Sequence, residues 1–329
     1  MAGAWQGLGG GARRADALIV AGPTCSGKSA LALRLAQEGG GTVINADSMQ
    51  VYRELRILTA RPTPADEAAA PHALYGVRPA REPGSAAWWR GAALAEMGRA
   101  AGAGRLPILC GGTGMYLLAL TSGLADIPDP GPAARAEARD LLAAHGAEAL
   151  HARLLAADPD TAATLRPGDS QRVARAWEVL TGTGQGLAAW QRAAPQPPPW
   201  RFRMVLLDPP RPALRAAIAG RFAAMLDAGA LDEARALLAL GLGPALPAMR
   251  AHGVPELAAF LAGQATLAQA ERLAVLATGQ YTKRQATWFR HRSPVAPAAT
   301  HTIHARYAGG TQFPESLWCD LMHFINRPG

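Results

Sequence analysis

The chain has 329 residues, with 33 Lys+Arg against 25 Asp+Glu for a formal charge of +8, and 49% of it is hydrophobic. That apolar share excludes a disordered chain, and 36 glycines without a three-residue period exclude a collagen-like one. At roughly 150 residues per domain, the length predicts about two domains.

Residues 1–16 hold no charged segment ahead of an apolar core, so they read as an N-terminal tail and not as a signal peptide. An apolar run at 17–21 (ALIVA) leads into Gly22, Pro23, Thr24, Cys25, Ser26, Gly27, Lys28 and Ser29, then into a helical pattern at 30–37. A second run, 42–45 (TVIN), ends at Ala46-Asp47-Ser48; a third, 106–110 (LPILC), at Gly111-Gly112-Thr113-Gly114; a fourth, 204–207 (MVLL), at Asp208. Short apolar runs that alternate with helical stretches and end in Gly- or Asp-bearing loops predict an α/β fold. Its parallel sheet would carry ligands at the strand C-termini.

The uncharged stretch 106–125 is long enough to span a bilayer. It holds Pro107 and four glycines (Gly111, Gly112, Gly114, Gly123), so strand, loop and helix start are expected and no membrane span. Between 126 and 200 no strand candidate occurs. Helical patterns at 132–145, 147–157 and 169–181, with proline-rich segments at both ends, predict an all-helical insertion domain over 126–200. It would divide a catalytic core into 17–125 and 201–292. A long helix is expected over 267–292, and 293–329 reads as a loosely patterned C-terminal tail. Cys25, Cys110 and Cys319 are odd in number and far apart, which predicts a reducing, cytoplasmic setting without disulfides.

Gly22-x-x-x-x-Gly27-Lys28-Ser29 is a full match to the phosphate-binding loop. Its glycines let backbone amides close around a phosphate, and the helix that follows adds positive potential. Lys28 would neutralise the outer phosphates and the Ser29 hydroxyl would hold Mg²⁺. Asp47, at the end of the second strand, faces the same crevice. It reads either as a general base or Mg²⁺ ligand or as a helix N-cap. Thr113 and its glycines either approach a substrate or make a plain strand-to-helix turn. Residues 281–292 carry Lys283, Arg284, Arg290 and Arg292 without an acid, interleaved with Trp288 and Phe289. This suits phosphate contact plus base stacking in RNA, or equally a basic helix C-terminus with aromatics in the core.

In this order, GPTCSGKS, NADSMQVYR, LTARP, LPILCGGTGMYL, GDSQRVARAWEV and YTKRQATWFR resemble the tRNA dimethylallyltransferase family, from about residue 17 to 292. The resemblance implies a P-loop kinase-like core, a helical insertion clasping the anticodon stem-loop, and a donor, dimethylallyl diphosphate. It implies transfer of the dimethylallyl group to N6 of the adenosine next to the anticodon, position 37, by a cytoplasmic monomer. It further implies that residues 22–29 cradle the diphosphate with Mg²⁺, and that Asp47 is the base at the adenine amine. Thr113 would contact the reacting groups, and Arg221 would assist the diphosphate. Asp47, Ser48, Met49, Gln50, Thr113, Arg135, Gln171, Arg172, Arg175, Arg250, His252, Gly253, Lys283, Arg284, Gln285, Trp288 and Arg290 match tRNA-contacting segments. The chain departs from the family at Leu55-Arg56-Ile57-Leu58 and Arg61, where DIGTAKP is usual, at Gly168, and at Gly279, where an arginine is usual.

Two other readings start from the same residues. A small-molecule kinase with this core would need the loop but not the basic Trp–Phe helix. A non-catalytic RNA-binding protein would not need an intact Lys28, Ser29 and Asp47. Outside the family motifs, His301-x-x-His304 and Cys319-x-x-x-His323 have spacings compatible with a zinc site or with an incidental tail.

Overall fold

The structure, a computed structural model, describes residues 15–192, 197–309 and 313–327. The tail expected over 1–16 lies almost wholly outside the described residues. The chain divides into two compact units, Ser122–Pro197 and the remainder. In chain order the larger unit supplies β1 (Ala15–Ala21), α1 (Lys28–Gly39), β2 (Gly41–Asn45), α2 (Pro64–Ala69), β3 (His72–Ala73), α3 (Ala86–Gly102), β4 (Leu106–Gly111) and α4 (Gly114–Ser122). The helical unit follows with α5 (Gly131–Ala157), α6 (Pro159–Ala162), α7 (Ser170–Thr183) and α8 (Leu187–Arg192). The larger unit resumes with β5 (Trp200–Leu207), α9 (Arg211–Asp227), α10 (Ala230–Leu238), α11 (Val254–Leu261), α12 (Leu267–His291), β6 (Thr300–Ile303) and α13 (Glu315–Asn326).

The six strands form one parallel sheet in the order β3-β2-β4-β1-β5-β6. β1 is central because both its faces are apolar. Ala17, Ile19 and Ala21 join one core cluster with Trp89, Leu109 and Phe289, while Leu18 and Val20 join the other with Leu31, Ile108 and Trp318. Its partners are set by register, Ala21 lying opposite both Gly111 and Leu206. The loops after β1, β2 and β4 therefore leave one edge side by side, where parallel sheets bind ligands. In the helical unit α7 buries Val173, Ala176 and Val179 at helical spacing. α5 is broken at Gly146, where φ is 79°.

Three expectations are corrected. The insertion runs from Ser122 to Pro197 rather than 126–200, because β5 starts at Trp200. The early half of β5 alternates Trp200 and Phe202 with Arg201 and Arg203. Arg201 pairs with Asp16 and Arg203 donates to the Ile325 and Arg327 carbonyls, so strand residues carry charges that hide them from an apolar-run search. The tail over 293–329 is not loose: β6 extends the sheet beside β5, and α13 buries Trp318, Leu321, Phe324 and Ile325. Folding it this way separates His301, His304, Cys319 and His323. The His301 ring stacks on Phe324 at 5.3 Å, His304 faces Asp208 at 4.0 Å, and Cys319 and His323 are exposed on α13. Among the described residues no cluster of three or more His, Cys, Asp or Glu could hold a metal ion. Cys25, Cys110 and Cys319 are all free thiols. No described helix is long and apolar enough to cross a membrane.

Candidate active site

The loop after β1 turns into α1 at Lys28, so the first amides of that helix have no intrahelical acceptor. Gly27 holds φ at 93°, and a Cβ there would lie 1.9 Å from the Tyr307 carbonyl oxygen, so conformation and space both require glycine. Lys28 Nζ donates to the Pro23 carbonyl at 3.4 Å. Ser26 Oγ is buried without a hydrogen-bond partner. Arg221 comes from α9 and points Nη1 at Cys25 Sγ, 3.6 Å away.

After β2, Asn45 organises the turn. Its Oδ1 accepts from Asp47 N at 2.8 Å, and its Nδ2 donates to the Asp47 and Leu74 carbonyls at 3.0 Å each. Asp47 Oδ1 accepts from Met49 N at 2.9 Å, so its carboxylate caps a turn rather than a helix. After β4, Thr113 Oγ1 accepts from Ser48 N at 3.0 Å and donates to Ser48 Oγ at 3.3 Å. A Cβ on Gly111 would lie 2.1 Å from the Ala46 carbonyl oxygen, so this glycine lets the two loops touch.

Between the first two of these loops, α9, the segment before α11 and α12 lies a cleft of about 300 Å³. Thr24, Cys25, Lys28, Ser29, Asp47, Ser48, Met49 and Gln50 line one part of it, and Arg221, Arg250, His252 and Arg284 face it from the helical side. Three more linings were missed by sequence reasoning: an apolar wall of Leu58, Ile218, Phe222 and Met225, and the polar Thr278 and Tyr281. Ile218, Phe222 and Met225 flank Arg221 at helical spacing and read in sequence as ordinary core. Tyr281 stands beside Lys283 and Arg284, whose charge is the stronger signal in the sequence.

Burial pushes the Tyr281 phenol up to about 12, and the Asp47 charge adds to this. Arg284 and a hydrogen bond with Thr113 oppose it. The His252 ring lies 4.9 Å from the Tyr281 ring. Burial lowers the His252 pKa, against the opposing charge of Glu256, so His252 is neutral at pH 7. Behind the loop, burial drives the Cys110 thiol up to about 11, although Lys28 and a hydrogen bond from Ser29 pull it down. Cys110 is therefore an inert core thiol.

Several expected contact residues lie away from the cleft or, like Arg284, at its exposed rim. Gln285 is 4% exposed, and its amide is used internally: Oε1 accepts from Thr24 N at 2.9 Å and Nε2 donates to the Gly112 carbonyl at 3.0 Å. It ties the first loop to the third, which corrects the expectation of an RNA contact. Trp288 packs on Gly114, where a Cβ would meet its ring at 2.1 Å, and makes an edge contact with Phe289 at 5.2 Å. Gly253 starts α11 at φ 95° and abuts Leu58 and Phe222, which is a packing task. Lys283 and Arg284 are exposed on α12, and Arg290 lies 3.8 Å from Asp208 in a separate depression. In the helical unit Arg135 pairs with Asp129, Arg172 with Asp169 at 3.8 Å and Arg175 with Glu178 at 3.1 Å, while Gln171 is exposed. Such surface pairs contribute about 0–1 kcal/mol and yield readily to a phosphate.

The residues present fit a Mg²⁺ ion. The Ser29 hydroxyl and the Asp47 carboxylate, both hard oxygen donors, line the same cleft. Few protein ligands suit an ion that fills its shell with water and phosphate oxygens.

The chain matches the family described as IPP transferase over residues 50–292, and that described as isopentenyl transferase over residues 15–71. A tRNA dimethylallyltransferase of Gluconacetobacter diazotrophicus is 65% identical over 315 residues, covering 95% of each chain. The crystal structure of a tRNA isopentenylpyrophosphate transferase from Bacillus halodurans superposes with a TM-score of 0.65 at 30% identity, covering 94% of this chain and 95% of that one. A eukaryotic dimethylallyltransferase studied acting on tRNA shares the fold at TM-score 0.81 and 24% identity, over 95% of this chain and 80% of its own.

Proposed function

This chain belongs to the tRNA dimethylallyltransferase family, and from that premise we propose that it transfers a dimethylallyl group from dimethylallyl diphosphate to N6 of adenosine 37 in tRNA. The observation that carries this reading is the meeting, in one cleft, of the Lys28 loop, the Asp47 loop, which Thr113 braces through Ser48, and three arginines, beside an apolar wall. A kinase needs the loop. Phosphoryl transfer does not require the apolar wall next to it, which suits an allylic donor.

In the mechanism, the loop amides at the start of α1, which have no intrahelical acceptor, bind the diphosphate together with Lys28. Leu58, Ile218, Phe222 and Met225 take the dimethylallyl group and exclude water from the allylic carbon. As the C–O bond breaks, its electron pair goes to the diphosphate. Lys28 and Arg221 stabilise that growing charge more in the transition state than before it. Bound Mg²⁺, held by Ser29 with Asp47 nearby, would add charge neutralisation on the leaving group. The adenine N6 attacks the allylic carbon and its proton passes to the Asp47 carboxylate, a transfer worth about 10²–10⁴ in rate. Thr113 holds Ser48, and through it the Asp47 turn, in place. Arg250 and Arg284 are positioned for the RNA backbone at the rim. We propose that the protein acts as a monomer.

The test is transfer of label from dimethylallyl diphosphate to an anticodon stem-loop with adenosine at the target position, dependent on Mg²⁺. Label in N6-substituted adenosine supports the reading. Phosphoryl transfer from ATP, with none from dimethylallyl diphosphate, would replace it with the kinase reading, and steeply salt-dependent RNA binding without turnover would replace it with a binding protein.

A further inference from the structure

The segment that leaves β6 grips the phosphate loop from outside. Arg306 Nε donates to the Cys25 carbonyl at 2.9 Å, and Tyr307 N donates to the Ser26 carbonyl at 2.9 Å. The Tyr307 carbonyl lies where a Gly27 side chain would be, 1.9 Å from its would-be Cβ. The grip is itself anchored. Tyr307 is 3% exposed, and its ring makes a tilted contact at 5.1 Å with Phe313, in the same apolar cluster as Trp318 of α13. Arg34, nearly two turns into α1, lies over the Trp318 ring at 3.5 Å, so the segment and the helix behind the loop share one support.

The Cys25 carbonyl and the Ser26 amide are two ends of one peptide group, whose N–H donates to the Pro23 carbonyl at 3.2 Å and closes the turn; the Ser26 carbonyl and the Gly27 amide are two ends of the next. A donor on the carbonyl fixes the plane in which the amide points and polarises its N–H, more so when the donor is a cation. We propose that Arg306 and the Tyr307 amide are positioning groups for the reaction: Arg306 fixes the peptide that closes the loop turn onto Pro23, the Tyr307 amide fixes the next so that the Gly27 amide points at the diphosphate, and both act through the loop without touching the ligand. This rests on the reading of residues 22–29 as a diphosphate cradle. It gives the last part of the chain, outside the family motifs, a role in donor affinity and leaves RNA affinity untouched.

Titration of the full-length protein with inorganic pyrophosphate and Mg²⁺, and separately with an anticodon stem-loop, tests this alongside thermal unfolding. Arg306→Met keeps the apolar stem and removes the donor. It is expected to weaken pyrophosphate binding about five- to tenfold and to raise KM for dimethylallyl diphosphate by a similar factor. Stem-loop affinity and Tm should stay near wild type, and Arg306→Lys should restore most of the loss. If Arg306→Met does not fold, Arg306→Gln, polar but too short to reach the carbonyl, carries the same expectation. Wild-type pyrophosphate affinity in the Arg306 variants, with affinity lost in Lys28→Met, overturns the positioning role and leaves the cradle standing. Wild-type affinity in Lys28→Met as well overturns both. Parallel loss of pyrophosphate affinity, stem-loop affinity and Tm overturns the proposal in favour of a plain structural anchor.

Discussion

Lys28 is one of only two lysines in a chain that otherwise uses arginine, and its amine is held back over the loop by the Pro23 carbonyl at 3.4 Å. A compact ammonium fits inside a ring of backbone amides where a planar guanidinium fork would not. Lys28→Met is expected to lower kcat/KM for dimethylallyl diphosphate by about 10²–10³, the usual loss for one donor to a developing oxyanion, with stem-loop affinity unchanged. Steady-state kinetics with varied donor checks it. Tyr281 makes a second claim at this scale. Burial and the Asp47 charge hold its phenol at about 12, so it stays a neutral donor through the assay range. The pH–rate profile should show no falling limb from this group below about pH 11. A limb that appears near pH 10 and vanishes in Tyr281→Phe would mean the phenol is not shielded as described.

At the scale of elements, the cleft wall is held by a residue from outside it. Glu233 of α10 accepts three backbone amides of the segment leading to Leu58: Arg56 N at 2.7 Å, and Ile57 N and Leu58 N at 2.8 Å each. Glu233→Ala leaves those amides without their acceptor and is expected to destabilise the protein by about 2–4 kcal/mol. Denaturant unfolding should show this as a lower midpoint at unchanged slope. The strands that read clearly in sequence, β1, β2 and β4, are buried on both faces, and such strands are continuous apolar runs that end in the site loops. β3 has two residues and β6 four, with alternating threonine and histidine, so neither carries a periodic signal. The same distinction governs the site. Loop chemistry shows as glycines, a lysine and an aspartate at fixed spacing. The apolar wall of α9, the Glu233 clamp and the Gln285 tie are packing and hydrogen-bond tasks that look in sequence like any helix.

For the whole molecule, the +8 charge divides between a compact cluster at the cleft and an exposed set on α12 and the helical unit. In the proposed reaction the first would neutralise a small leaving group; the second, with Arg172 and Arg175 in weak surface pairs, is available to an RNA backbone. Replacing both Arg172 and Arg175 by Gln should reduce the slope of log K against log salt for stem-loop binding by about 1–2, without changing pyrophosphate affinity. An unchanged slope would remove the helical unit from the RNA-binding surface. The central claim is that one cleft joins a diphosphate cradle to a carboxylate base, and single-turnover transfer by Asp47→Asn tests it most directly. With donor and stem-loop both saturating, the rate of N6 transfer should fall by about 10²–10³ while both affinities stay within about twofold of wild type. A near-wild-type rate would contradict the assignment of Asp47 as the base and, with it, the mechanism built on this cleft.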